Sequence, residues 1–116
     1  MRVVAVIEDD TSLRNSIARL LRAHGFVSET YVSAEQFLDD FVASKANCVL
    51  IDIHLGGLSG IELCQRLTAS GRRLNIILMT GVDIEANEAK AVEAGCNAYL
   101  HKPFSTRSLI EALNGH

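Results

Sequence analysis

Short, uninterrupted apolar runs constrain the fold of this chain more than any other feature of its sequence. The run Val49-Leu50-Ile51 has no polar alternation, leads directly into a single carboxylate, Asp52, and is followed by the glycine-containing segment 56–60. Such runs are typical of strands that are buried on both faces of a parallel sheet covered by helices. Asp52 would then lie at the carboxyl end of its strand, where open α/β sheets bind their ligands. Because an Asp after a strand is also common in turns and helix caps, its function depends on what other strands bring to the same edge.

Similar runs alternate with helical patterns along the whole chain. Predicted strands cover residues 3–7, 26–31, 47–52, 76–79 and 97–100. Apolar residues at helical spacing fall within residues 13–21, 34–41, 61–67, 85–94 and 109–113. Five strands that alternate with five helices through short loops predict an α/β fold with a doubly wound parallel sheet and right-handed crossovers.

The composition indicates one globular domain that spans residues 1–116. Hydrophobic residues make up 48% of the chain and charged residues 22%. The net charge is -3 without a basic block, so we expect no direct contact with nucleic acid. The apolar runs are too short for a membrane span, and acids follow the start too soon for a signal peptide, so we expect a cytoplasmic protein with no membrane contact. Three cysteines without a C-x-x-C pair, Cys48, Cys64 and Cys96, are interpreted as reduced core residues.

Four of the predicted strands end in polar residues that would meet at one edge of the sheet. These residues are Glu8, Asp9 and Asp10, then Asp52, then Thr80, and then Lys102. Clustered carboxylates repel one another, and a divalent cation and the Lys102 ammonium would relieve that repulsion. Hard oxygen ligands that leave room for water suit Mg²⁺. A carboxylate beside the metal can act as a nucleophile toward a phosphoryl group, whose oxygens Lys102 and Thr80 would contact.

Each of these motifs also has a purely structural interpretation. Either Asp10 or Thr11 can cap the first helix, and acids there favour a helix amino terminus. Taken alone, Thr80-Gly81 is a turn and Lys102 is a solvated lysine. The spacing of Ser33 and Gln36 also predicts a capping box at the second helix.

Taken together and in this order, the motifs resemble those of a two-component response-regulator receiver domain over nearly all of the chain. The signature consists of the acidic pair Glu8-Asp9, Asp52 with Gly60 eight residues later, Thr80-Gly81, and Lys102-Pro103-Phe104. The segment 33–38 also resembles receivers attached to helix-turn-helix regulators of the nitrogen-fixation type. The resemblance implies a flavodoxin-like sheet with the strand order 2-1-3-4-5.

The resemblance also implies a role for each residue of the acidic site. Asp52 is expected to accept a phosphoryl group from a histidine kinase or a phosphotransfer protein. Asp9 is expected to bind Mg²⁺ directly and Glu8 directly or through water, with Asp52 and the backbone carbonyl of His54 as further ligands. Asp10 lies one place beyond the acidic pair and is given a lesser role.

A second set of residues is expected to contact the phosphoryl group or to move in response to it. The resemblance implies that Thr80 and Lys102 contact it, that Gly81 leaves room for it, and that the Lys102–Pro103 peptide is cis. Tyr99, which alone would be interpreted as a core residue, is expected to move inward when Thr80 moves. His54 and Val82 are predicted to flank the path of the water that hydrolyses the phosphate.

The implied function is that of a phosphoacceptor signalling domain, not of a turnover enzyme, since the domain phosphorylates and dephosphorylates itself with Mg²⁺. Its output is expected to control transcription through an attached or partner DNA-binding domain. The alternative is a stand-alone receiver that acts by protein contact. A phosphorylation-dependent homodimer is expected through the surface of the fourth helix, fifth strand and fifth helix, where Lys90, Glu93, Arg107 and Glu111 supply opposite charges.

Two other functions compete with this interpretation, and the first of them has the same strand order. A flavin-binding electron carrier would need free N–H groups after the first strand, where the acids 8–10 would repel a phosphate. A small phosphatase with an Asp nucleophile usually carries a second Asp at the position of His54. The chain departs from many receivers at Gly56, where they have proline, and the following Gly57 lowers the stiffness of that loop further.

Overall fold

A computed structural model describes residues 2–81 and 84–115, and it is organised around a parallel sheet. The strands are β1 (Val3–Ile7), β2 (Val27–Tyr31), β3 (Cys48–Asp52), β4 (Asn75–Thr80) and β5 (Ala98–His101). Every neighbouring pair is parallel, and the order is β2-β1-β3-β4-β5. The predicted sheet and its order are confirmed, and no strand end differs from the predicted one by more than one residue.

Helices cover both faces of the sheet. They are α1 (Thr11–Ala23), α2 (Ala34–Asp40), α3 (Gly60–Ala69), α4 (Ile84–Ala94) and α5 (Thr106–Asn114). Leu50 packs in one hydrophobic cluster with α1 and α5, whereas its neighbour Ile51 packs in the other cluster with α2, α3 and α4. Since successive side chains of a strand point to opposite faces, a strand between two helical layers has no position for a polar residue. This explains the uninterrupted apolar runs. Within the described residues, no helix is long and apolar enough to cross a membrane.

The three cysteines take part in these two clusters. Cys48 is buried in the cluster beside α1 and α5, and Cys64 is buried in the other, where Cys96 packs against it. All three thiols are free, and burial raises the pKa of Cys64 to about 11. Their predicted place in the core is confirmed.

Side-chain caps fix where the helices begin. Asp10, and not Thr11, caps α1, because its Oδ1 accepts a hydrogen bond of 3.1 Å from the Leu13 N–H. Ser105 caps α5 in the same way. A polar side chain at these positions satisfies an N–H group that has no partner within the helix.

The complete capping box lies at α3 and not at the predicted position. At α2, Ser33 accepts from the Gln36 N–H, but Gln36 Oε1 turns to the Val32 N–H, 2.8 Å away, so the box is left half made. At α3, Ser59 and Glu62 bond reciprocally to each other's backbone N–H groups. The sequence carries the spacing at both sites, and the local path of the chain decides which box closes.

Gly60 allows α3 to begin directly against the end of β3. A Cβ atom added to Gly60 would lie 2.3 Å from the Asp52 carbonyl oxygen and 2.7 Å from the Ile53 Cα. The Gly60 N–H also donates to the Ile53 carbonyl at 3.1 Å. The spacing of eight residues between Asp52 and this glycine therefore has a steric cause, and the contact fixes the end of β3.

We expect Gly60→Ala to destabilise the fold by about 1–3 kcal/mol, because the new methyl group would push apart two backbone segments that cannot move independently. The measurement is the urea midpoint of unfolding. Gly56→Ala is the matched control, because a Cβ atom there meets nothing within 4 Å. Equal midpoints for the two variants would contradict the steric explanation.

Candidate functional site

Three carboxylates converge at the carboxyl edge of the sheet. Glu8 and Asp9 follow β1, Asp52 ends β3, and these strands are neighbours with Ile7 opposite Ile51. One carboxylate oxygen from each acid lies within 4.8 Å of the other two. Glu8 and Asp52 are only 1% and 5% exposed, whereas Asp9 is exposed, so the cluster is open on one side. The predicted convergence is present, and hard oxygens around an open position fit a cation such as Mg²⁺ that keeps part of its water.

Lys102 brings a positive charge into the same cluster. Its Nζ lies 2.6 Å from Glu8 Oε1 and 3.3 Å from Asp52 Oδ2. The Lys102–Pro103 peptide that follows is cis, as predicted. Lys102 is therefore the counter-ion of two nearly buried acids from different strands, and not a solvated lysine.

Burial and ion pairing shift the pKa values of Glu8 and Lys102 in opposite directions. Burial raises the pKa of Glu8, and the hydrogen bond from Lys102 offsets this rise only in part. Burial by itself lowers the pKa of Lys102, but its hydrogen bond to Glu8 and the charge of Asp52 outweigh that effect, so the pKa is raised. Both shifts favour the protonated forms, which is the expected response of crowded carboxylates in a site with too little positive charge.

Both oxygens of the Asp52 carboxylate are oriented by neighbouring groups. Oδ1 accepts a hydrogen bond of 3.0 Å from the His54 N–H, and Oδ2 faces the Lys102 ammonium. The side chain of His54 itself is exposed. Its carbonyl oxygen stays a predicted metal ligand.

The hydrogen bonds of Asp10 give it a structural role, unlike the acidic pair Glu8-Asp9. Its carboxylate caps α1, and its N–H donates to Glu8 Oε2 at 3.2 Å. One turn into α1, the Arg14 guanidinium donates to the Glu8 carbonyl oxygen at 2.8 Å. Arg14 could not be identified from the sequence, because an arginine in the first turn of an amphipathic helix carries no signal that distinguishes it from a solvated one.

Thr80, the last residue of β4, contacts Tyr99 on the neighbouring strand β5. Thr80 is fully buried and lies opposite His101 in the register of the two strands. Burial raises the pKa of Tyr99, and its hydrogen bond with the Thr80 side chain acts in the opposite direction. The half-buried Tyr99 ring also packs edge-on against the His101 ring, with 5.6 Å between centroids. The predicted pair is thus coupled by a direct bond.

Roles are also predicted for Gly81 and Val82, the two residues that follow Thr80. A Cβ atom on Gly81 would come no closer than 3.8 Å to the nearest atom, the Lys102 Cβ, so protein packing does not by itself require glycine here. Room for a ligand stays the predicted reason for Gly81. Val82 lies outside the described residues.

Comparison with known proteins assigns the family. The model of the response regulator receiver domain matches residues 4–114. This chain belongs to that family. It is 36% identical to the transcriptional regulatory protein FixJ of Azorhizobium caulinodans over 95% of its own length and 52% of the relative's. It is also 36% identical to the sensory transduction protein RegX3 of Mycolicibacterium smegmatis, over 95% of this chain and 48% of the relative.

The solved structures agree with this assignment. A response regulator receiver protein from Burkholderia phymatum superposes with a TM-score of 0.87 at 35% identity, covering 99% of this chain and 94% of that one. The predicted family, its signalling function in two-component systems and the likeness to FixJ are therefore confirmed. The receiver spans about half the length of the curated relatives that it matches.

The raised pKa of Glu8 gives the metal-free receiver a distinct pH dependence. The folded protein binds this proton more tightly than the unfolded chain, so the stabilising contribution is complete below the ordinary value of 4.5 and is lost as the pH rises through the folded pKa. We expect the unfolding free energy of the wild type to fall relative to that of Glu8→Gln as the pH rises above 4.5.

Urea unfolding in a metal chelator measures this difference. With Mg²⁺ present, the same comparison is the control, and the dependence is expected to flatten because the cation offsets the buried charge. A difference between the two proteins that stays constant with pH would show that Glu8 is ionised without cost.

Proposed function

We propose that this receiver is the phosphoacceptor of a two-component phosphorelay and that Asp52 takes the phosphoryl group from a histidine kinase or a phosphotransfer protein. The observation that carries the proposal is the setting of the Asp52 carboxylate. It is nearly buried at a strand end, held by one backbone N–H and one ammonium, and it lies beside two further acids. A turn Asp also accepts a hydrogen bond from an N–H group two residues later, but it needs neither burial, nor an ammonium, nor two neighbouring acids.

The residues around Asp52 suit the attack of a carboxylate on phosphorus. One Asp52 oxygen would form the new P–O bond while the P–N bond to the donor imidazole breaks, and the released imidazole would take a proton from water. Lys102 lies 3.3 Å from Asp52 Oδ2, so its ammonium needs little movement to contact a phosphoryl oxygen. Thr80 would donate its hydroxyl hydrogen to another.

Three acids and one lysine leave the site short of positive charge. Glu8, Asp9 and Asp52 would hold Mg²⁺, with the His54 carbonyl as the further ligand. Bound Mg²⁺ would supply the charge that neutralises the transferred oxygens. Hydrolysis of the aspartyl phosphate at the same site would return Asp52 to its starting state, so the domain resets itself and is not a turnover enzyme.

We infer that the hydrogen bond between Thr80 and Tyr99 transmits phosphorylation of Asp52 to the output surface. A phosphoryl group adds strong acceptor oxygens and about two negative charges to Asp52. When Thr80 moves toward it, the hydrogen bond with Tyr99 requires the ring to follow or to break away. The surface of α4, β5 and α5 would therefore differ between the two states.

The changed surface would act on a DNA-binding domain, attached or separate, and so control transcription. The relative FixJ is a transcriptional regulatory protein, which supports this output over that of a stand-alone receiver acting by protein contact alone. A kinase that draws on ATP would place the reaction in the cytoplasm.

Phosphorylation with acetyl phosphate tests the proposed acceptor. We expect the wild type to gain one phosphoryl group and Asp52→Asn to gain none, because the amide is not a nucleophile. Intact-protein mass spectrometry measures the gain. Phosphate found on the Asp52→Asn variant would disprove the assignment.

Asp9 and Asp10 both follow β1, so substitutions at these two positions give a matched pair of variants that tests the proposed metal site. Asp9→Asn should greatly weaken the dependence of the reaction on Mg²⁺. Asp10→Asn should react close to the wild-type rate, because asparagine caps a helix about as well as aspartate. If phosphorylation of the two variants depends on Mg²⁺ equally, Asp9 is not a metal ligand.

We also propose that phosphorylation promotes a symmetric dimer through the surface of α4, β5 and α5. Of the charges on it, Arg107 and Glu111 pair within α5 at 3.1 Å, with side chains 88% and 68% exposed, so both stay accessible to a partner. We expect sedimentation velocity to show a larger species with beryllium fluoride bound to Asp52 and a smaller shift for Tyr99→Ala. An unchanged mass in both states would mean that the signal leaves by another surface.

A further inference from the structure

The loop between β3 and α3, residues 53–59, is closed at its base on the phosphoacceptor strand. At its start, the His54 N–H donates to Asp52 Oδ1 at 3.0 Å. At its end, the Gly60 N–H donates to the Ile53 carbonyl oxygen at 3.1 Å. The conformation of this loop is therefore connected directly to the orientation of the Asp52 carboxylate.

A carboxylate from another helix holds the tip of the same loop. Glu35 lies in the first turn of α2, and its Oε2 accepts a hydrogen bond of 2.9 Å from the Leu58 N–H. This hydrogen bond lowers the pKa of Glu35, so the side chain is ionised at neutral pH. A hydrogen bond to a charged acceptor is stronger than one between neutral groups.

The absence of a side chain at Gly57 leaves room for the Glu35 carboxylate. The backbone at Gly57 has a φ of +70°, which other residues rarely adopt, and a Cβ atom there would lie 2.6 Å from Glu35 Oε2. With glycine at both 56 and 57, the loop tip has little stiffness of its own. The contact from α2 thus supplies the rigidity that this stretch of sequence lacks.

An acid in the first turn also stabilises its own helix, because it lies near the positive end of the helix dipole. That effect needs neither a bond to a residue 23 positions away nor a glycine shaped around the carboxylate. The two roles of Glu35 can be separated, because glutamine loses the charge but keeps an oxygen that can accept the Leu58 hydrogen bond.

We propose that Glu35 is a positioning residue for the phosphorylation of Asp52, acting through the loop whose first N–H group holds the Asp52 carboxylate. The proposal rests on the proposed function, since it assumes that Asp52 is the acceptor. Glu35 touches neither the phosphoryl group nor the acids of the site, so its influence on the rate passes entirely through residues 53–59.

The test compares Glu35→Ala and Glu35→Gln with the wild type. We expect the phosphorylation rate of Glu35→Ala with acetyl phosphate and saturating Mg²⁺ to fall about three- to tenfold, the factor that one ordinary hydrogen bond represents. Glu35→Gln should retain most of the rate. Asp39→Ala is the matched control, because it removes another exposed acid from the same helix and should leave the rate unchanged.

Hydrogen exchange and a double-mutant cycle give readouts that a merely structural role would not move. In Glu35→Ala exchange at the Leu58 amide should accelerate by a larger factor than exchange at the core amides of β4, which report the loss of global stability. Gly57→Ala should slow phosphorylation in the wild type because its methyl group displaces the carboxylate. The same change should slow it much less in Glu35→Ala, where only the strain at φ remains.

The outcomes are distinct. A wild-type rate for Glu35→Ala, with or without faster exchange at Leu58, would overturn the positioning role and leave the proposed function intact. Additive effects of the two substitutions would overturn it as well, because the clash would then not act through Glu35. A wild type that takes no phosphoryl group would instead show that the proposed function fails, and the role of Glu35 with it.

Discussion

The need to balance two nearly buried carboxylates governs the structure around the site. Glu8 and Asp52 lie at the ends of adjacent strands, and Lys102, which directly follows β5, pairs with both. Each strand end must therefore be held in register with the others, or a buried charge loses its partner at a cost of about 3–5 kcal/mol. The two hydrophobic layers provide that register, because β3 and β4 are buried along their whole lengths.

Much of this arrangement could be predicted from the sequence, because it follows from strong patterns. Apolar runs without alternation predict strands between two helical layers, and polar residues at their ends must meet at one edge. The acids, Thr80 and Lys102 follow from these patterns, as does a chemistry of Mg²⁺ and a carboxylate nucleophile, and the family resemblance adds a role for each residue. Gly60 was also part of the resemblance, but its reason is visible only in the close approach of α3 to the Asp52 carbonyl oxygen.

The rest could not be predicted, because it depends on side-chain geometry that spacing does not encode. Arg14 and Glu35 look like ordinary surface charges of amphipathic helices, yet one binds the Glu8 carbonyl and the other a loop from another part of the chain. The capping boxes are a milder case, since two sites carried the required spacing and only Ser59 and Glu62 complete it. In each case the competing partner is a backbone group whose position is set by the tertiary fold.

The position of β5 at the edge of the sheet has a consequence for how such a domain diversifies. Among the described residues β5 pairs only with β4, so one side of the strand that carries Tyr99 faces no other described strand. The residues of β5 are also less buried than those of β3, so their side chains can change size with less disturbance of the two layers. The proposed phosphoacceptor thus ends a strand where substitution is costly, and the proposed output surface includes an edge strand where substitution costs less. Such a division would let related regulators acquire new partners while they keep the same reaction.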